Sequence, residues 1–259
     1  MRSLSYGVIL AAMCCPLDAY GAGAEHFIPD CAGAVEIPHA RVLRLERDGT
    51  LVFSKGQALR LEGIRLPSVH DKAVYDRSQA ALRALALSGT VSFTAVTPMR
   101  DRYGRLRAQG FGQAWLQEAL LERGLARVQV SPDRQECAPD LYEAEARARD
   151  RRLGIWAMPN YQVRTPELLA GAVGTFQLVE GPVGNIGRAD GRTFLDLGDK
   201  AGNRQGMTVV IGPQDRHAFR DFDFEDLPGR RIRVRGIVQD YRGRPEMVLS
   251  NPMQIEVLD

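Results

Sequence analysis

Lysine is nearly missing from this chain. Of 34 basic residues only Lys55, Lys72 and Lys200 are lysines, leaving 31 arginines. Arginine suits bidentate phosphate contacts better than lysine does, but an excess spread over a whole chain is a matter of composition and marks no site. A surplus of one charge is missing too. The 34 basic residues face 32 acidic ones, and a net charge of +2 excludes a global field that would gather nucleic acid. Histidine is scarce, and His26, His39 and His217 lack metal-ligand spacing. Beyond the N-terminal segment no run is apolar enough to span a bilayer. The remainder is ordinary for a globular protein, 44% hydrophobic and 25% charged. A length of 259 residues allows one large domain or two small ones.

The first residues read as a targeting segment. Arg2 supplies a positive charge, "YGVILAAMCC" an apolar stretch, and Ala22 to Ala24 a small-residue cleavage site, so residues 1–24 are expected to be a secretory signal peptide. Cys14 follows Met13 rather than a small residue, which argues against a lipid-modified cysteine. Cleavage leaves Cys31 and Cys137, an even count that in an exported chain predicts one disulfide, with two buried free thiols as the alternative. The expected location is periplasmic or secreted.

Residues 25–37 read as an N-terminal extension, and a first domain is expected over 38–160. "ARVLRLERDGTLVF" alternates and turns at Asp48-Gly49, and "ALRLEGIRLP" carries the sheet on to Pro67. "YDRSQAALRALALSG" changes to helical spacing, with Ala81, Leu82, Leu85 and Ala86 as the apolar stripe and Gly89 as terminator. "TVSFTAV" and the turn-plus-strand "DRYGRLRAQGF" follow. Two more helices are predicted in "AWLQEALLERGLARV", ended by Gly124, and "APDLYEAEARARDRRLGIW", ended near Gly154. Trp115 and Trp156 fall in these helical segments as core residues.

Residues 161–173 lose periodicity and read as a linker. From Gly174 to Asp259 the pattern is five short strands with Gly-rich turns, which suggests a small barrel. A short helix is expected within "HAFRDFDFEDL", between the third and fourth of these strands, as in an OB-fold. Phe222 and Phe224 are read as filling the barrel end, with base stacking as the alternative.

Five motifs, in order, resemble the thermonuclease (staphylococcal nuclease-like) family. They are "DGT" at Asp48 to Thr50, "LRLEGIRLP" at Leu59 to Pro67, "DRYGR" at Asp101 to Arg105, "LLERGLARV" at Leu120 to Val128, and "EAEARARDRRLGIW" at Glu143 to Trp156. The resemblance covers roughly residues 38–158. It implies an OB-like barrel with helices packed against it. The expected fold class is therefore mainly β with helices (α+β): a thermonuclease-type OB barrel plus a second, smaller OB-like β-barrel.

The resemblance also implies a chemistry, calcium-assisted phosphodiester hydrolysis. Two aspartates hold the cation, a threonine carbonyl lies near it, a glutamate activates water, and two arginines stabilise charge on the phosphate. Arg60 and Arg105 match those arginines. Asp101, Tyr103 and Gly104 match the turn, and Thr50 is retained. The carboxylates are not. Gly49 stands where the first aspartate would be, Arg65 at the second, and Ser68 at the glutamate. No catalytic residue, metal ligand or cofactor is therefore expected. Calcium enters only if Asp48 or Glu62 replaces the missing ligands; the other reading of Glu62 is that it neutralises Arg60. Arg60, Arg65 and Arg105 are expected to converge as an anion site, with Tyr103 beside them.

In the second domain Arg231, Arg233 and Arg235 alternate with Ile232 and Val234, which places three guanidiniums on one strand face. With Tyr241 in the next turn, that face is a candidate surface for single-stranded nucleic acid, and a solvated barrel face is the alternative. Ser68, His70 and Asp71 are too close in sequence for a triad geometry. The expected function is binding of an anion, nucleic acid or phosphate, or of an envelope protein, without hydrolysis. The alternative is a secreted phosphodiesterase or nuclease with rescued or non-standard catalytic groups.

Overall fold

The computed structural model describes residues 28–95, 100–169, 171–198 and 206–258. The expected signal peptide, its cleavage site and His26 lie outside the described residues. The first barrel contains β1 (Val35–Ala40), β2 (Arg44–Leu45), β3 (Leu51–Val52), β4 (Ala58–Leu61) and β5 (Ile64–Arg65). Then come α1 (Lys72–Leu87), β6 (Val91–Thr94), β7 (Leu106–Phe111), α2 (Leu116–Glu122), β8 (Arg127–Val128) and α3 (Ala138–Asp150). The main sheet has the order β1-β6-β7-β4-β3-β2. Its two end strands are consecutive in the chain, joined by residues 41–43, as in a barrel whose bent first strand pairs on both sides, with β6 through β1 and with β3 through β2. The barrel begins at Val35, three residues ahead of the boundary expected from periodicity, because β1 pairs with β6.

Helix α1 buries Val74, Ser78, Leu82 and Ala86, a strict i, i+4 row. Ala81 and Leu85, expected in the stripe, flank that row half-buried. Ser78 is tolerated in it because its hydroxyl donates to the Leu125 carbonyl at 2.8 Å. Gly124 and Gly154 do more than end helices. Both have positive φ, and a Cβ on either would lie 2.1 Å from a carbonyl oxygen of the other segment, so only glycine lets these backbones cross. Trp115 and Trp156 are buried, Trp115 just ahead of α2 and Trp156 in a 3-10 turn (Gly154–Ala157). Cys31 and Cys137 form a disulfide with Cα atoms 5.1 Å apart.

The second barrel contains β9 (Phe176–Ala189), β10 (Arg192–Leu197), β11 (Met207–Ile211), β12 (Arg231–Tyr241) and β13 (Arg244–Leu249), with β14 (Ile255–Val257) added beside β12. Pairing runs β9–β10–β11–β13–β12 and back to β9, with β11–β13 the parallel pair. That is the closed strand order of an OB-fold, and a 3-10 turn at Arg216–Phe219 stands where the short helix was expected. Phe222 and Phe224 pack against Phe219 at 6.0 and 5.9 Å, which is the core reading. The stretch 161–173 is no bare connector, since Tyr161, Pro166, Leu169 and Ala172 are buried. Phe176 and Leu178 of β9 join the core of the first barrel, so the two barrels share apolar surface.

Candidate functional site: an arginine-lined cleft between two barrels

Strand β4 ends in a turn at Glu62-Gly63, and the chain re-enters as β5. This jog moves Arg65 away from β4 and pairs it with β8, where Arg65 lies directly opposite Arg127. Two like charges facing each other across a strand pair are destabilising. Both guanidiniums lie over the Phe176 ring, at 5.5 Å for Arg65 and 4.7 Å for Arg127, and Arg127 also lies 4.8 Å from the Tyr161 ring. Such contacts are attractive when desolvated. Arg65 donates to the Gln129 side chain at 3.2 Å, and Arg127 to the Phe176 carbonyl at 2.8 Å. Arg127 is only 7% exposed. Burial pulls its pKa down to about 10. Burial and then the neighbouring Arg60 charge pull Arg65 down as well.

Arg60, Arg65 and Arg127 line a cleft of about 650 Å³, closed on its far side by Arg164, Thr175 and Phe176. Arg60 also lines an adjoining groove of about 660 Å³ with Arg105 and Tyr103. The three arginines expected to converge are thus divided: Arg65 opens to the cleft, Arg105 to the groove, and Arg60 to both. Tyr103 is 67% exposed, with the guanidiniums of Arg102 and Arg105 at 4.8 and 5.2 Å from its ring.

Arg105 is already engaged. It pairs with Asp101 through Nε and with Asp48 through Nη1, both at 2.8 Å. Burial lowers its pKa, but the hydrogen bond and charge of Asp101, then Asp48, outweigh it and raise the net value. Asp48 is raised by burial yet held below the ordinary range by Thr50 and Arg105.

Glu62 pairs with Arg107 rather than with Arg60. Its turn position sends the carboxylate inward, where Arg107 donates at 2.8 Å and the Ser131 hydroxyl at 2.7 Å. Arg107 in turn holds Asp133 bidentately at 2.7 and 2.9 Å. The position where the family carries its first metal aspartate is also closed. Gly49 has φ +84°, and a Cβ there would sit 2.3 Å from Leu66 Cδ1. With Arg65 and Ser68 at the other two positions and Asp48 held by Arg105, the residues present do not fit a calcium ion. Among the described residues, Cys31, Cys137 and Asp140 form a cluster of ligand type, but its sulfurs are joined to each other. Ser68, His70 and Asp71 form no relay: the His70 backbone N–H donates to Ser68 Oγ at 3.2 Å, and Asp71 accepts from the Tyr161 hydroxyl at 2.5 Å.

The arginine face of the second barrel requires correction. Arg235 is 1% exposed and pairs across the domain boundary with Glu145 of α3 at 2.8 Å, with its guanidinium 4.2 Å from the Tyr142 ring. It also pairs with Glu256, as does Arg233 at 2.7 Å; Arg233 and Arg231 both reach Glu180. The period of two was right, with Ile232 and Val234 buried on the opposite face. The error lay in taking the whole face as solvent-facing: Arg235 is buried against the first barrel and Arg233 is mostly covered between Glu180 and Glu256, while Arg231 alone of the three stays exposed. Tyr241 is exposed with Arg242 over its ring at 5.2 Å, away from those ion pairs.

Residue-type reasoning also missed Arg127, Arg107, Asp133, Tyr161 and Arg164. Only Arg107 carried a local signal, being two residues beyond Arg105 and entering the strand.

The first domain is thus an OB-type barrel with three helices packed against it, and arginines line an adjoining cleft of about 650 Å³. The family model of staphylococcal nuclease homologues matches residues 58–158, so the chain carries a staphylococcal-nuclease-like domain there. No curated protein matches the chain.

Proposed function

We propose that this protein binds single-stranded nucleic acid in the arginine-lined cleft and groove without metal-assisted hydrolysis. One observation carries the reading. Among the described residues no carboxylate lies at ion-pair distance from Arg60, Arg65 or Arg127, whereas Arg105, Arg107, Arg233 and Arg235 are each paired. Cationic side chains left uncompensated at a cleft favour an anion there. Exposed Tyr103 offers a ring face on which a base of a single strand can stack, which duplex bases do not present. The missing carboxylates at Gly49, Arg65 and Ser68 remove both the cation and the general base from the family's chemistry. A disulfide fits an oxidising compartment, and we place the protein in the periplasm or outside the cell.

The test is fluorescence anisotropy of a labelled single-stranded oligonucleotide against salt. Affinity should fall with log salt, and each of Arg60→Gln and Arg65→Gln should reduce the slope by about 0.7. Arg65→Asp, which returns the family's residue type, should weaken binding and bring no cleavage. Absence of measurable binding to DNA or RNA at low salt would sink the reading in favour of an envelope scaffold.

A further inference from the structure

The cleft holds a feature that the family's own residues do not explain. Arg127 is sandwiched between Phe176, from the second barrel, and Tyr161, from the segment joining the barrels. Among the described residues it donates one hydrogen bond, to the Phe176 carbonyl at 2.8 Å. Burying a guanidinium without a paired anion is costly. Its neighbour across the strand pair is Arg65, which adds repulsion rather than relief. The two carboxylates that line the cleft are committed elsewhere, Asp48 to Arg105 and Asp71 to Tyr161.

We propose that the Arg65–Arg127 pair, walled by Phe176, is a site for a compact phosphate dianion: the phosphomonoester at a nucleic-acid strand end, or free phosphate. The choice of a dianion follows from two arginines opposite each other in register, both over the Phe176 ring, with no carboxylate at ion-pair distance among the described residues. The choice of a terminal group follows from burial. A phosphodiester in mid-strand carries chain on both sides, so its oxygens cannot be driven onto a side chain 7% exposed. A terminal phosphate is free on one side and presents three oxygens, matching the planar forks of two arginines. The cleft volume of about 650 Å³ lies within the range of small-ligand pockets. Arg164, hydrogen-bonded to Gln177 at 3.3 Å and to the Leu168 carbonyl at 2.9 Å, supplies a further cation at the wall. Because the walls come from both barrels, occupancy also couples them. The strand-end form of this inference rests on the nucleic-acid reading above; the dianion site itself does not.

Calorimetry on the full mature protein tests it with three probes: inorganic phosphate, a short oligonucleotide phosphorylated at one terminus, and the same oligonucleotide with hydroxyl ends. Both the 5′- and 3′-phosphorylated forms are included. The expected result is that a terminal phosphate tightens binding about 10–100-fold over hydroxyl ends, the range for a charge-assisted hydrogen bond lost or gained. Arg127→Gln and, separately, Arg65→Gln should erase that difference, and the comparison of probes on unaltered protein stands even where a variant fails to fold. If phosphate alone binds and the phosphorylated oligonucleotide does no better, the source is free phosphate, the dianion site holds and the nucleic-acid reading fails. If oligonucleotides bind equally with and without a terminal phosphate, the dianion site is wrong and the nucleic-acid reading stands. If no probe binds, both are wrong.

Discussion

Arg235 of the second barrel places a guanidinium nitrogen 2.8 Å from the carboxylate of Glu145 in the first, and both side chains are sealed from solvent. The other Glu145 oxygen accepts the Val128 backbone N–H at 2.7 Å, so one carboxylate ties β8 to α3 and the first barrel to the second. Next to Val128 in that strand is Arg127. The pair that fixes the domains therefore also fixes the wall of the cleft.

Breaking this pair from one side should be expensive. Glu145→Gln leaves Arg235 with Glu256 alone, and Arg235→Met leaves Glu145 with only Arg149 at 3.7 Å, so each change should cost up to about 3–5 kcal/mol because a buried charge loses its nearest partner. Replacing both with apolar residues should cost much less than the two single changes together. Urea unfolding of the three variants checks this. Additive losses would mean that the two side chains do not act as a pair.

Much of the architecture was legible because periodicity and turn chemistry are local. Asp48-Gly49, Gly124 and Gly154 sit where turns and helix ends were read. The use of the arginine strand was not legible. A period of two assigns Arg231, Arg233 and Arg235 to one face, but whether a second barrel covers that face is a property of the whole fold. The same limit applies to Arg65 and Arg127. Nothing in "RLEGIRLPS" or "GLARVQV" says that the turn at Glu62-Gly63 will set these two arginines opposite each other. Glu62 shows the converse: one residue of turn took it from the Arg60 face to the Arg107 network.

The disulfide between Cys31 and Cys137 spans 106 residues. On the loop-entropy account its reduction should destabilise the protein by up to about 4–5 kcal/mol, less any strain it carries. A thiol assay on unfolded, unreduced protein beginning at Glu25, which lacks Cys14 and Cys15, should find none free, and reduction should lower the urea midpoint. Two titratable thiols in oxidised protein would refute the bridge.

Acid should destabilise both barrels. Burial raises Glu256, but Arg235, and then Arg233 and Arg149, hold it below its reference value of 4.5. Asp101 is likewise raised by burial and held by Arg105 below its reference of 3.8. Carboxylates with depressed folded-state values contribute stability that is present above the unfolded values and lost as pH falls through the folded ones. Thermal melts from pH 7 to pH 3 should show stability falling below about pH 4.5, and Arg235→Met should make that fall shallower. An unchanged pH profile in Arg235→Met would remove Glu256 from the account.

Returning the family's aspartate at Gly49 should not rebuild a metal site. The positive φ disfavours any side chain by about 1–2 kcal/mol, and Leu66 occupies the space where the Cβ would go. Gly49→Asp should lower stability by about 2–4 kcal/mol in total, by strain and overpacking. Adding Leu66→Ala should not recover calcium affinity, because Arg65 and Ser68 remain. Calorimetry with calcium on the single and double variants decides the matter, and tight binding by either would show that the site lacked only this one ligand.

The central claim is that the staphylococcal-nuclease-like domain here holds a strand and does not cut it. The most direct measurement incubates pure mature protein with a labelled single-stranded oligonucleotide across a calcium titration, reading anisotropy and strand length on the same samples. The account expects salt-sensitive binding, with the oligonucleotide intact at every calcium concentration. Calcium-stimulated digestion, abolished by chelator and by Arg105→Ala, would contradict it.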